Sequence, residues 1–298
     1  MSDWQSPLAL QWEGRGIYRE LAGYKTFTLD IASSGDETGA PLLVVHGFPT
    51  SSFDFWAVIE ALSEQRRVLL FDMIGFGLSA KPDQPYPLAL QADVAQAFVA
   101  ETGVTALALL THDLGDTVGG ELLARHAEGS WDVQITHRVV TNGSIYIEMA
   151  QLTVGQQMLL ALPDERLPEG SGVDAAGLQA SLAATFAPES PVDEEALGAA
   201  VEFVVHDEGQ RLLPRTIRYI EERRRNQARF TGAIETHPSP LTVVWGTEDP
   251  IAVRAMASKL HGVRSDAELI WLDGIGHYPM VEAPEAFADA VVSALATS

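Results

Sequence analysis

The sequence predicts an α/β protein: a mostly parallel central sheet, helices on both faces, and a helical segment inserted late in the chain. Three observations carry this. Short apolar runs bounded by turn residues recur along the chain. Most are separated by amphipathic stretches of helical period. The alternation stops between about Ser144 and Pro240 and then resumes.

Taken in order, Ile17–Glu20 and Thr26–Ile31 read as two short strands joined around Gly23. Leu42–Val45, Val68–Phe71, Ala106–Leu110, Val139–Val140, Thr242–Trp245 and Leu269–Leu272 are short continuous apolar runs. Runs of this kind are expected of strands buried on both faces. Between them, Phe53–Leu62, Leu88–Ala100, Thr117–Arg125, Val253–Leu260 and Pro284–Leu295 read as helices. Strand–helix alternation implies a parallel sheet with helices on both sides. The interruption contains no convincing strand. It reads as helices near Ala175–Ala184, Glu194–Val205 and Leu213–Ala228, joined by Pro/Gly-rich stretches such as Pro163–Gly172. The expected organisation is a core of residues 1–143 and 237–298, with a helical cap at 144–236. Such an insertion lies at the C-terminal edge of the sheet, where open α/β sheets bind ligands. It is either a lid or a further structural layer.

Composition narrows the function. The chain has 298 residues, 46% apolar and 20% charged, an ordinary globular composition. With 41 acidic and 19 basic side chains its formal net charge is −22. That balance argues against nucleic acid or an anionic membrane surface as a main partner. The absence of cysteine excludes disulfides, thiolate nucleophiles and Cys-ligated metal. The first residues show neither a basic region nor a long apolar run, so the expected location is cytoplasmic. No H-E-x-x-H or comparable cluster calls for a metal. Gly75-Phe76-Gly77-Leu78-Ser79-Ala80 fits a loose dinucleotide fingerprint, but Lys81-Pro82-Asp83 and Pro85 follow where a helix would have to start. No cofactor is therefore expected. The oligomeric state is left open by the sequence.

Four segments carry chemistry. Thr111-His112-Asp113-Leu114-Gly115 leads from a strand into a helix, with small residues two places either side of Asp113. That is the spacing of a nucleophile elbow, whose sharp turn needs small neighbours. The plainer alternative is an Asp capping a helix. Val45-His46-Gly47-Phe48-Pro49 ends a strand and leaves the Phe48 N–H free. Paired with the N–H of Leu114, it would form an oxyanion hole. Trp245-Gly246-Thr247-Glu248-Asp249-Pro250 places carboxylates past a strand end. Gly274-Ile275-Gly276-His277-Tyr278 does the same for a histidine, which comes last in the order nucleophile, acid, histidine.

Together these pieces resemble the α/β-hydrolase fold family over nearly the whole chain, from about Ile17 to Leu295. Phe71–Ser79 is similar to that family's glycine-rich loop. His46-Gly47-Phe48-Pro49 with His112-Asp113 resembles the epoxide-hydrolase and haloalkane-dehalogenase branch, whose nucleophile is Asp. The stretches HDLGD, TNGSIY and YIEERRR also resemble mesoderm-specific-transcript-like members. The resemblance implies Asp113 as nucleophile, His277 as general base and Asp249, in the family's W-G-x-x-D-P position, as the acid that orients it. His46, Phe48, His112 and Tyr278 are expected to line the substrate.

The leaving group decides the helper residues. A departing halide needs N–H donors, and Leu114 and Phe48, at the places where the dehalogenase branch commonly carries them, have none in their side chains. An opening epoxide needs a proton donor, which the epoxide-hydrolase branch draws from lid tyrosines. Tyr146 and Tyr219 are the tyrosines of the expected cap. Tyr219 could instead lie on a solvent face. The expectation is hydrolysis of a small apolar epoxide, with water as second reactant. Haloalkane dehalogenation and a non-catalytic ligand-binding scaffold are the alternatives.

Overall fold

The structure, a computed structural model, describes residues 4–191 and 193–296. Its eight strands are β1 (Ile17–Leu21), β2 (Tyr24–Ile31), β3 (Leu42–Val45), β4 (Val68–Phe71), β5 (Ala106–His112), β6 (Gln134–Thr141), β7 (Leu241–Gly246) and β8 (Glu268–Leu272). They form one sheet in the order β1-β2-β4-β3-β5-β6-β7-β8. The β1–β2 hairpin and the β2–β4 pair are antiparallel, and every other pairing is parallel. Every residue of β3, β4 and β7 is buried, the signature of strands covered on both faces. The fold is the mostly parallel α/β sheet that the alternation predicts.

The helices are α1 (Pro7–Arg15), α2 (Ile59–Leu62), α3 (Leu88–Thr102), α4 (Leu114–Ala127), α5 (Val154–Ala161), α6 (Ala175–Ala183), α7 (Glu194–Val205), α8 (Leu213–Thr216), α9 (Tyr219–Arg225), α10 (Gln227–Thr236), α11 (Arg254–Val263), α12 (Pro279–Glu282) and α13 (Pro284–Leu295). Among the described residues, none is long and apolar enough to cross a membrane. Those from α5 to α10 lie between β6 and β7, and no strand occurs there among the described residues. The last of them, α10, packs along α4 of the sheet layer, so the insertion is anchored at its C-terminal end.

Three elements depart from the sequence reading. The stretch read as one helix, Phe53–Leu62, divides into a short 3-10 turn at Ser52–Phe55 and α2. The stretch Leu213–Ala228 divides into α8, α9 and the start of α10. Finally, β6 begins at Gln134, five residues before the apolar pair that announced it. Its added residues include His137 and Arg138, which no apolar pattern would assign to a core. Arg138 is nonetheless buried. Its guanidinium donates to Ser239 Oγ and to the carbonyls of Ile234, His237 and Ser239. A buried cation is tolerable when its donors are satisfied in this way.

Register aligns the strand ends that matter. Val45 of β3 pairs with Thr111 of β5, His112 with Thr141 of β6, Thr141 with Val244 of β7, and Gly246 with Leu272 of β8. Phe48, Asp113, Asn142, Asp249 and His277 therefore all emerge at one edge of the sheet.

Candidate active site

Asp113 sits where β5 turns into α4, with φ 49° and ψ −111°. Non-glycine residues are rarely held there, and such strain clusters at functional sites. Its side chain makes no capping hydrogen bond, which removes the N-cap alternative. The turn requires Gly115: a Cβ there would lie 2.2 Å from the carbonyl oxygen of Val45. At Gly47 a Cβ would meet the Asp113 Cβ at 2.8 Å, so β3 and the elbow approach to backbone contact.

Asp113 Oδ2 accepts the N–H of Phe48 at 2.9 Å. Leu114 is the first residue of α4, where a backbone N–H has no helical carbonyl to bind. One of the two donors expected of an oxyanion hole thus bonds the carboxylate, and the other follows it directly in the chain.

His277 is buried, and its Nδ1 hydrogen-bonds Asp249 Oδ2 at 2.8 Å. Asp249 Oδ2 also accepts the Asn142 amide at 2.8 Å, and Oδ1 accepts the N–H groups of Ile251 and Ala252. Burial alone would raise the Asp249 carboxyl, but His277, Asn142 and Ile251 together hold it below its ordinary value. For His277, burial lowers the imidazole; the charge and hydrogen bond of Asp249, with Asp113 and Glu282, overcome this and hold it up at about 9. Glu248, the neighbouring carboxylate, is exposed by comparison and makes none of these bonds.

Tyr219 is buried rather than on a solvent face. Its ring lies 5.7 Å from that of Phe48, and its hydroxyl has no hydrogen-bond partner among the described residues. Burial first, and then the charge of Asp113, push this phenol well up, so it is neutral. Tyr146 is not brought to the cluster. Its hydroxyl donates to Glu235 Oε1 at 2.7 Å, and the Lys259 ammonium sits 3.8 Å from its ring centre. The chain leaving β6 turns this side chain toward α10, which is why its place near the insertion's start misled.

A cavity of about 90 Å³ lies beside the cluster. Phe48, His277 and Tyr278 line it from the sheet edge, and Gln156, Leu159, Leu182 and Leu213 from the insertion. Asp113 and Tyr219 lie outside its lining, and so do the other two residues expected to line the substrate. His46 is engaged on both ring nitrogens, with the Gly47 carbonyl and with the Met73 N–H, and it holds the Phe71–Ser79 loop. His112 Nε2 binds the His277 carbonyl at 2.8 Å, and its Nδ1 is buried without a partner. Both are fully buried beneath the site.

Two residues of the site were not singled out from sequence. Asn142, at φ 44°, bridges three loops: besides Asp249, its amide reaches the Gly276 carbonyl and its Oδ1 accepts the Gly246 N–H. Arg223 is a buried guanidinium that donates to Thr117 Oγ1, the Ser144 carbonyl and the Asp113 carbonyl, and lies 5.1 Å from the Tyr219 ring centre. The signal was present at low resolution. HDLGD, TNGSIY and YIEERRR, far apart in sequence, meet at this guanidinium.

Carboxylate, histidine and acid at the ends of parallel strands, under a helical insertion, define the chain as a hydrolase. It belongs to the alpha/beta hydrolase fold family, whose model matches residues 40–284. It is 36% identical to LipZ of Mycobacterium tuberculosis, over 97% of this chain and 99% of that protein. It is 28% identical to the human mesoderm-specific transcript homolog protein, over 96% of this chain and 87% of that protein. An alpha/beta hydrolase fold protein from Burkholderia ambifaria shares the fold with a TM-score of 0.76 at 22% identity, over 93% of this chain and 97% of that one.

Proposed function

We propose that this hydrolase opens small apolar epoxides to vicinal diols through an ester formed on Asp113. The observation that carries the reading is the pairing of a carboxylate at the elbow with a buried, neutral, uncommitted phenol, Tyr219, packed on Phe48. A halide would find no side-chain N–H at Leu114 or Phe48. Residues 144–236 act as the lid over the reacting groups.

In the first step Asp113 Oδ1 attacks an epoxide carbon, the ring C–O bond breaks, and the alkoxide takes the Tyr219 proton. A neutral phenol suits this, because it binds the oxygen most strongly as charge develops. In the second step His277 removes a proton from water, which attacks the carboxyl carbon of Asp113. The N–H groups of Phe48 and Leu114 hold the resulting oxyanion. Collapse releases the diol oxygen, which takes the proton from His277. The regenerated carboxylic acid of Asp113 gives its proton to His277, which restores the resting state.

The electrostatics order these steps. At rest, Asp249, Asp113 and Glu282 raise His277 to about 9, where it holds a proton at neutral pH. Ring opening moves the charge of Asp113 onto the Tyr219 phenolate, which then takes up the proton of His277. His277 then becomes a competent base when the ester needs hydrolysis.

The test is a single turnover with excess enzyme and styrene oxide in heavy-oxygen water. Label is expected in Asp113, with an unlabelled diol. A labelled diol in that first turnover, or halide release from bromoalkanes without epoxide turnover, overturns the reading.

A further inference from the structure

Behind Tyr278 lies a second, smaller cavity of about 20 Å³. Tyr278 and Leu182 belong to the walls of both cavities, so they form the partition between them. Most of the small cavity is apolar: Phe53, Trp56, Phe186, Leu197 and Val281 line it. Its polar groups besides Tyr278 are Thr50 and Asp54. Asp54 is buried, and its Oδ2 accepts the Thr50 hydroxyl at 2.6 Å. Its Oδ1 has no partner among the described residues. Asp54 has no part in the triad, the oxyanion hole or the elbow.

A carboxyl kept in an apolar chamber is costly unless something satisfies it. Burial, the main cause, pushes it up to about 8, with Asp72 adding and Thr50 opposing. The space fits one terminal group, since a cavity needs roughly 10–15 Å³ to hold a water-sized occupant.

We propose that this chamber is a substrate subsite, in which the free oxygen of Asp54 receives a small hydrogen-bond-donating head, a hydroxyl or an amine, at the far end of the substrate. The proposal extends the epoxide reading, from which it takes only that the reacting carbon lies at Asp113. The substrate is then bifunctional. Its electrophilic end occupies the larger cavity and its polar head passes Tyr278 and Leu182. Discrimination against a chain lacking the head arises because Asp54 would be left unpaired.

Binding can be read without turnover from the fluorescence of Trp56, which lines the chamber. Hexanol, hexylamine and fluorohexane are matched in length, and only the first two donate. In the wild type, above the titration of Asp54 at about 8, each donor is expected to bind about tenfold or more tightly than fluorohexane, as for a hydrogen bond to a buried carboxylate. The advantage of hexylamine should grow as pH rises through the titration of Asp54. An advantage of either ligand supports the subsite and names its donor. Asp54→Leu should abolish the preference and leave fluorohexane binding unchanged. Asp54→Asn, which conserves volume and fold, should keep the hexanol preference and remove the pH-dependent gain of hexylamine. Equal affinity of the three ligands in the wild type overturns the proposal, as does a preference that survives Asp54→Leu or an amine gain that survives Asp54→Asn. Because no chemistry is involved, failure of epoxide turnover leaves this result standing, and the reverse also holds.

Discussion

The backbone N–H of Phe48 donates to Oδ2 of Asp113 at 2.9 Å. In the proposed reaction, one oxygen of the elbow carboxylate is thus committed before substrate arrives, and Oδ1 is left to attack. The same N–H is already in place for the oxyanion of the second step, so it need not reorganise between steps.

Asp249→Asn should leave alkylation fast and slow ester hydrolysis by about a hundred- to ten-thousandfold, the scale seen when a histidine loses its orienting carboxylate. The Asn142 amide, which donates to Asp249 Oδ2, would then face another amide. Rapid-quench mass spectrometry should show the alkyl-enzyme accumulating. Full turnover in this variant, with loss of activity in Glu248→Gln, would transfer the acid role to Glu248.

Tyr219→Phe and Tyr146→Phe separate the two tyrosines. The first should slow ring opening by about ten- to a thousandfold and leave hydrolysis of the ester nearly unchanged. The second removes only the bond to Glu235, at a stability cost of about 1 kcal/mol, and should turn over normally. Single-turnover kinetics and denaturant midpoints check the pair. Unimpaired alkylation in Tyr219→Phe would remove that phenol from the chemistry.

The His277–Asp249 pair should make stability fall on the alkaline side. The folded imidazole is held up at about 9 against an ordinary 6.5. A raised value means the folded state binds the proton more tightly. The contribution is complete below 6.5 and is lost as pH rises toward 9. Its size is on the order of 3 kcal/mol. Unfolding free energies of wild type and His277→Gln should therefore converge between those pH values. A constant difference across that window would contradict the coupling.

Gly115→Ala should cost about 3 kcal/mol or more, because the Val45 carbonyl is backbone and cannot move aside. Denaturant unfolding measures this directly. A variant as stable as wild type would mean that β3 and the elbow can separate without loss.

The sheet was legible because its strands are apolar runs with turn residues at both ends. The elbow, the histidine loop and the acid loop were legible because each is a short glycine-bearing turn after such a run. Legibility ended where polar residues are buried by partners remote in sequence. Arg138 extends β6 because Ser239 and His237 satisfy it. Arg223 and Asn142 reach loops that only folding brings near. Tyr146 and Tyr219 looked equivalent by position, and their different fates depend on Glu235 and Phe48, which no local pattern links to them.

The loop that carries His277 is fastened to the insertion. The His277 N–H donates to the Thr185 carbonyl, and Glu282 accepts the N–H groups of Ala187, Gly276 and Tyr278 together with the Ser190 hydroxyl. An insertion tied to the base in this way cannot swing clear as one rigid flap without dismantling the base itself. Traffic must therefore pass at its periphery, around α5, where Val154 and Met158 are 73% and 66% exposed on a helix whose Gly155, Gln156 and Leu159 line the larger cavity. In the proposed reaction, departure of the diol then depends on local loosening of α5. Substitutions along its outer side should change how fast product leaves and leave both bond-making steps untouched.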